Sequence, residues 1–230
     1  MEGIGPVVIL CGGRGTRLQE RTHAIPKALV EIGDRPILWH VIRIYAAQGL
    51  RRFLLLTGYL GEMIEEFVIA TDWPEPVEID CVDTGLDTPT GGRIALVRER
   101  LTGQPFCATY ADGVADLDLE PRTQFGVAEL DPDDRVLGFE EKPRLDHWVN
   151  GGFFCLEPGF LDYLATDSVL ERAPLRHLAA AGQLRAFRHT GFWECMDTYK
   201  DAVMLNDLWG GGQAPWAVWE RDTATEAGAL

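Results

Sequence analysis

Short apolar runs alternate with amphipathic stretches through the first half of the chain. PVVILCGG (6–13), FLLLTG (53–58) and PFCATYADG (105–113) are continuous apolar runs bounded by Pro or Gly. That is the pattern of strands buried on both faces. VEIDCV (77–82) alternates as a further strand. Between them, PILWHVIRIYAAQG (36–49) sets Ile37, Trp39, Val41, Ile44 and Tyr45 near one helical stripe, closed by Gly49. GEMIEEFVIA (61–70) reads as a helix, and so does GGRIALVRERL (91–101), with Ile94, Val97 and Leu101 at helical spacing. Strands alternating with helices predict right-handed βαβ units on a mostly parallel sheet.

The second half changes character. QFGVAEL and RVLGFEEKP flank the turn cluster DPDD (131–134), which predicts a hairpin. NGGFFCLEP (150–158) and LRAFRH (184–189) read as strands. SVLERAPLRHLAAAG (168–182) reads as a helix kinked or restarted at Pro174, and DTYKDAVMLNDLW (197–209) as another. RDTATEAGAL at the end is small and polar, a frayed tail. One domain of 1–230 is expected. Its first half spans 1–118, its second 119–220, and the tail 221–230.

Composition narrows the class. The chain has 230 residues, 46% of them hydrophobic, enough for a substantial core, and a formal net charge of −15. Nucleic acid polymers are disfavoured as partners, because their binding relies on many Lys and Arg. A small anion is not excluded, provided the basic residues are gathered locally. No run approaches the ~20 apolar residues of a membrane helix. No secretory leader is seen. Cys11, Cys81, Cys107, Cys155 and Cys195 are odd in number, widely spaced and mostly inside apolar runs. They read as reduced, mostly buried thiols of a cytoplasmic protein. His23, His40, His147, His177 and His189 show no zinc spacing.

The first candidate for chemistry is GGRGTR (12–17) at the end of the first strand. Glycines there allow close backbone approach and can form an anion nest. Ligands of open α/β sheets bind beyond the carboxyl ends of the strands. The dinucleotide fingerprint fails, since Leu18 stands where its third glycine is required. The P-loop fails too, for want of Gly-Lys-Ser/Thr. Taken alone, the glycines are better read as an ordinary turn with solvated arginines.

The wider pattern changes that balance. GGRGTRL followed by IPKALVEIGDRPILWH resembles the opening signature of the sugar-1-phosphate nucleotidylyltransferases. The glucose-1-phosphate cytidylyltransferase branch is the more similar one. TGYLGE (57–62), VDTGLDTPTGGRI (82–94), YADGVADLDL (110–119), FEEKP (139–143), NGGFFCLEP (150–158), GFWECMDTYKD (191–201) and APWAVWE (214–220) continue the resemblance in order. It implies a Rossmann-like α/β fold of the nucleotide-diphospho-sugar transferase type: a mostly parallel sheet flanked by helices, with an added β-hairpin.

It also implies a reaction. A phosphate oxygen of a hexose 1-phosphate, glucose 1-phosphate being the expected one, attacks the α-phosphorus of CTP in line, and pyrophosphate leaves. Two like charges ~4 Å apart repel by about 4 kcal/mol at an effective dielectric of ~20, so cations matter more here than acid–base groups. By the resemblance, Mg²⁺ is the cofactor and Asp112 and Asp197 hold it. The alternative for each is capping or turn chemistry, strongest for Asp197 because a helix follows at once. Arg17, Lys27, Asp112 and Lys142 are the expected catalytic residues.

The triphosphate would meet Gly12, Gly13, Arg14, Gly15, Thr16, Arg17 and Lys27. The base would meet Thr90, Gly91, Gly92 and Arg93, with Arg93 donating to a pyrimidine carbonyl. The alternative for TGGR is a helix start with a solvated arginine. Gly113, Glu141, Lys142, Asn150 and Gly151 would meet the sugar phosphate. Asp116 and Asp118 read as surface. Trp209, Trp216 and Trp219 read as packing or subunit contact. Two other readings stay open: the same chemistry with another NTP or sugar 1-phosphate, and a nucleotide-sugar-binding protein without turnover.

The chain departs from the family in places. Cys11 replaces the usual alanine, Ala28 a proline, and Ala111 a glycine. The larger departure follows Asp118, where the family has a helix and a strand and this chain has only EPRT before QFGVAEL. A mean helix plus a mean strand is ~17 residues. The segment between Phe67 and Val82 also looks shortened. A sheet lacking a strand must close up or be completed by another chain, so a homo-oligomer comes into question.

Overall fold

The structure is a computed structural model. It describes residues 4–15, 24–116, 127–130, 136–140 and 149–220, the two strands 127–130 and 136–140 by their backbone. The predicted DPDD turn lies outside the described residues, as do Asp118 and the tail.

The apolar runs form the central sheet. Its strands are β1 (Val7–Leu10), β4 (Arg52–Thr57), β5 (Glu78–Asp83), β6 (Phe106–Tyr110) and β10 (Phe153–Leu156), in the order β10-β6-β1-β4-β5. Only β10 runs antiparallel. β1 is central and buried throughout. Its side chains alternate between two cores, as a period of two requires. Val7 and Ile9 join α1 (Ile37–Ala47) on one face. Val8 and Leu10 join Ile94, Val97 and Leu178 on the other. This is the expected Rossmann-like α/β architecture.

The remaining helices are α2 (Gly61–Ala70), α3 (Thr90–Leu96), α4 (Ala173–Ala180) and α5 (Tyr199–Gly210). No described helix is long and apolar enough to cross a membrane. α4 starts with Pro174 in its first turn, where the missing N–H costs nothing. The helix predicted over 91–101 ends at Leu96 and continues as a 3-10 turn, Arg98–Arg100.

α1 corrects an expectation. A stripe was expected, but its first ten residues are all buried. The C-terminal segment covers the outer face. Trp209, Trp216 and Trp219 surround His40, with ring centroids 4.6–6.2 Å away. Trp216 Nε1 donates to His40 Nδ1 at 3.3 Å, and His40 Nε2 lies 3.1 Å from the Ile32 carbonyl. Burial pushes the His40 pKa down to about 4. The guanidinium of Arg43 fills the space between Trp39 and Trp219. The three tryptophans are therefore packing residues.

Four short strands were not foreseen: β2 (Glu31–Ile32) with β3 (Arg35–Pro36), and β7 (Gly113–Ala115) with β11 (Trp193–Cys195). The predicted hairpin is present as β8 (Val127–Leu130) and β9 (Val136–Glu140). LRAFRH is not a strand: residues 183–190 carry no regular structure. Phe187 is 84% exposed, so the alternation buries no face. The thiols are also less uniform than expected. Cys11 and Cys107 are buried, Cys81 and Cys195 half-buried, and Cys155 exposed.

Candidate active site

Asp112 sits in the tight turn between β6 and β7. The pairing of β7 with β11 sets Gly113 opposite Cys195, and Met196 N donates to the Asp112 carbonyl at 2.9 Å. Two carboxylates 85 positions apart are thus brought side by side. Lys27 opens a 3-10 turn, Lys27–Leu29, behind Pro26. Its Nζ lies 2.5 Å from Asp112 Oδ2 and 2.6 Å from Asp197 Oδ1. Burial disfavours the ammonium, but Asp112 and Asp197 outweigh it and raise its pKa. Lys27 therefore stays charged.

The capping alternative for Asp197 is answered by its neighbours. Thr198 caps α5: its side chain accepts from Asp201 N, and Asp201 Oδ2 accepts from Thr198 N at 2.7 Å in a capping box. Asp201 Oδ2 also accepts from Asp197 N at 3.0 Å. The Asp197 carboxylate is thereby spared for Lys27. Its Oδ2 also takes the Cys195 thiol, at 3.8 Å. Asp116, expected at the surface, is partly buried and accepts from Phe192 N at 2.7 Å.

These groups form one end of a cleft of about 500 Å³. Its wall includes Gly12, Gly13, Arg14 and Gly15 from the loop after β1, Leu86, Asp87 and Thr88 from the loop after β5, and Lys27, Asp112 and Asp197. Gly15 has φ +60°, a conformation that favours glycine. A Cβ on Gly13 would meet no atom of the described residues within 4 Å. Arg14 reaches Asp87 at 3.3 Å and lies over the Tyr59 ring. Thr16, Arg17, Glu141 and Lys142 lie outside the described residues.

The TGGR segment borders the same cleft through Thr90 and Arg93, and each of its residues has protein neighbours. A Cβ on Gly91 would lie 2.8 Å from the Ser168 carbonyl oxygen, and one on Gly92 2.1 Å from that of Thr166. These glycines let α3 press onto the 166–168 loop. The Thr90 hydroxyl donates to Glu171 Oε2 at 3.0 Å and accepts from Leu170 N. Arg93 is 4% exposed. Its Nη1 donates to the Thr57 carbonyl at 2.7 Å and Thr84 Oγ1 at 2.6 Å. Its Nη2 donates to the carbonyls of Gly12 at 3.1 Å and Leu86 at 3.4 Å. The four terminal N–H groups are thus taken, leaving only Nε–H outside the set. A pyrimidine carbonyl taking a terminal N–H would have to displace one of these bonds, worth about 1.5–3 kcal/mol each for a charged donor.

A second cleft, of about 570 Å³, opens beside β10. Asn150, Gly151, Phe153, Phe154, Glu171 and Trp193 are among its lining. Trp193 Nε1 donates to the Gly151 carbonyl at 2.8 Å, and Asn150 Oδ1 accepts from Gly152 N at 2.9 Å. Gly113 lies buried in β7, behind this wall. Sequence reasoning missed Glu171. It joins the two clefts by accepting from Thr90 and Tyr110, which line the first. No periodicity or motif marked it. Among the described residues there is no group of three or more His, Cys, Asp or Glu placed to hold a metal.

Comparison with known proteins fits this geometry. Residues 7–112 match the MobA-like NTP transferase domain and residues 113–185 the nucleotidyl transferase family. The glucose-1-phosphate cytidylyltransferase of Salmonella typhi is 39% identical, covering 93% of this chain and 99% of that protein. The chain belongs to the sugar-1-phosphate nucleotidylyltransferases. Mannose-1-phosphate guanylyltransferase 1 of Arabidopsis thaliana is 28% identical over 85% of this chain and 62% of its own length. Among solved structures, HddC from Yersinia pseudotuberculosis superposes with a TM-score of 0.65 at 22% identity, covering 90% of this chain and all of that one. UDP-glucose pyrophosphorylase complexed with UDP-glucose superposes at 0.68 and 15%, covering 91% and 99%. Both show the fold. The Salmonella typhi alignment runs over 255 positions, whereas 93% of this chain is about 214 residues. About 40 aligned positions therefore have no residue of this nucleotidylyltransferase, in keeping with a shortened chain.

Proposed function

We propose that the protein transfers a cytidylyl group from CTP to a hexose 1-phosphate, glucose 1-phosphate first, releasing pyrophosphate. The observation that carries this reading is the convergence of Asp112 and Asp197 on a single cation, Lys27 Nζ, beside a glycine loop in an anion-sized cleft. The cytidylyltransferase resemblance over nearly the whole length supports the choice of base and sugar.

Two carboxylates that already share one cation suit a hard divalent ion such as Mg²⁺, which takes one or two carboxylates and completes its shell with water and phosphate oxygens. Asp112 and Asp197 would hold it. When bound, it neutralises charge on the phosphates during displacement. Lys27, released from the carboxylates, would turn to the phosphate oxygens. Gly13 and Gly15 would offer backbone N–H groups, and Arg14 charge at the mouth. The attacking oxygen is already ionised at neutral pH, so no general base is needed. The second cleft would take the sugar, with Asn150, the Gly151 backbone and Trp193 as its wall. Glu141 and Lys142 are proposed to meet the sugar phosphate on the resemblance alone.

Incubation with each NTP and glucose 1-phosphate, followed by pyrophosphate release, tests the proposal. Turnover is expected with CTP. Turnover with dTTP and none with CTP overturns the base assignment. The shortened length supports a second reading, a nucleotide-binding protein without turnover. Tight CTP binding with no pyrophosphate release from any sugar 1-phosphate would establish it.

A further inference from the structure

Gly12 is the first glycine of the loop, yet no ligand is needed to explain it. A Cβ there would lie 2.0 Å from Arg93 Nη1 and 2.2 Å from Cζ. Gly58, at the end of β4, is in the same position: a Cβ there would lie 2.8 Å from Arg93 Nη1 and 2.6 Å from the Gly85 carbonyl oxygen. Two glycines from neighbouring strand ends thus make a slot for one guanidinium. A Cβ on Gly13 would meet no atom of the described residues.

The slot has a consequence for the cleft. The Gly12 carbonyl accepts from Arg93 Nη2 at 3.1 Å and from Tyr59 N at 3.3 Å. Its peptide unit is trans, as are all those among the described residues. In a trans peptide the C=O and the following N–H point in opposite directions. A carbonyl turned to Arg93 therefore turns the Gly13 N–H away from it. A peptide between two glycines has little barrier to flipping, so something must hold it. We propose that Arg93 is a positioning residue of the nucleotide site: it anchors the Gly12 carbonyl, thereby aims the Gly13 N–H into the cleft as an anion donor, and is the reason that residue 12 is glycine.

Arg93 also fixes the opposite wall, through the carbonyl of Leu86 and the hydroxyl of Thr84. Leu86, Asp87 and Thr88 line the cleft on that side, beside Arg93. The inference rests on the first cleft being the NTP site.

A mutant cycle of Gly12→Ala and Arg93→Ala tests it, read in Tm, in CTP affinity and in KM. In the native background Gly12→Ala should lower Tm by about 5 °C or more and weaken CTP binding at least about tenfold. In the Arg93→Ala background the clash is gone, and the same substitution should change either readout by less than about twofold or 1 °C. Arg93→Ala alone should raise KM for CTP at least about tenfold and leave KM for the sugar 1-phosphate unchanged, a split that general loosening of the fold would not give. In ¹⁵N-labelled protein, the Gly13 amide resonance should move on adding pyrophosphate, and this response should be lost in Arg93→Ala.

Equal losses from Gly12→Ala in both backgrounds would overturn the pairing and return Gly12 to the ligand. A Gly13 response that survives in Arg93→Ala would overturn the anchoring role. If the native protein binds no nucleotide at all, the proposed function fails. The Tm cycle then still decides the pairing.

Discussion

Gly-Gly-Arg occurs twice in this chain, at 12–14 and at 91–93. The two copies are put to opposite uses. In the first, Gly13 and Arg14 are exposed at the rim of the cleft beyond the end of β1. In the second, Gly91, Gly92 and Arg93 are all buried, pressed on the 166–168 loop and on the ends of β1 and β4. Composition does not separate them; placement does. The first follows a central strand and runs out over the sheet edge, where backbone N–H groups meet solvent. The second opens a short helix already covered by another segment. A glycine is informative only through what occupies the space its side chain would fill.

The sharpest break concerns whether the first copy faces chemistry at all. If Gly12–Arg14 line a reacting phosphate site, Asp112 across the cleft is part of it. Asp112→Asn should lower turnover by about 10²-fold or more, comparable with the loss of one donor to a developing charge. Tm should change little, because the side chain is part-exposed and Lys27 keeps Asp197. Pyrophosphate release and a thermal melt measure the two halves. A variant that stays active removes the metal role from Asp112.

The next prediction sets one glycine of each copy against the other. Gly92→Ala would force a Cβ to 2.1 Å from the Thr166 carbonyl oxygen. Backbone must move, at a cost of about 1–3 kcal/mol, typical of overpacking. The folded fraction should keep its KM for the NTP. Gly13→Ala should behave the other way: Tm within about 1 °C, and KM for the NTP up about tenfold as a methyl enters the cleft. Chemical denaturation and steady-state kinetics of the pair decide it. If both lose stability, or both lose only affinity, the two copies do not differ as described.

The contrast also shows what the chain made legible. β1, β4 and β6 could be read because four- to six-residue apolar runs between Gly or Pro have few other fates. The residues between them gave α1 and α2 as helices, although the stripe expected of α1 is buried all round. β7 and β11 escaped, because three residues carry no period; their pairing is set by the turn at Asp112 and the cap of α5. That pairing builds the site. Lys27 contacts carboxylates 85 and 170 positions away, so local pattern could not join them, and only the resemblance named them together. LRAFRH failed for the converse reason: alternation predicts a strand only where a sheet offers a partner and a face to bury. Arg93 was read as a base donor on the resemblance of TGGR; its protein acceptors, the Thr57, Gly12 and Leu86 carbonyls and the Thr84 hydroxyl, come from three other segments that local pattern could not join to it.

The smallest expected effect tests how independent the first copy is. Arg14 is half-exposed, and Asp87, 3.3 Å from it, is 84% exposed. Pairs of this kind contribute about 0–1 kcal/mol, and salt screens them. Asp87→Asn should therefore leave stability within about 0.5 kcal/mol. Its effect on the ligand should be favourable. It removes a negative charge from the mouth of the cleft proposed for the triphosphate and frees a guanidinium to face it. KM for the NTP should fall about twofold at low salt, and the gain should vanish near ~1 M salt, where the screening length is ~3 Å. A rise in KM would mean that Asp87 holds Arg14 in place for the ligand. The first Gly-Gly-Arg would then depend on its protein partner as the second does, and the difference between them would be one of degree.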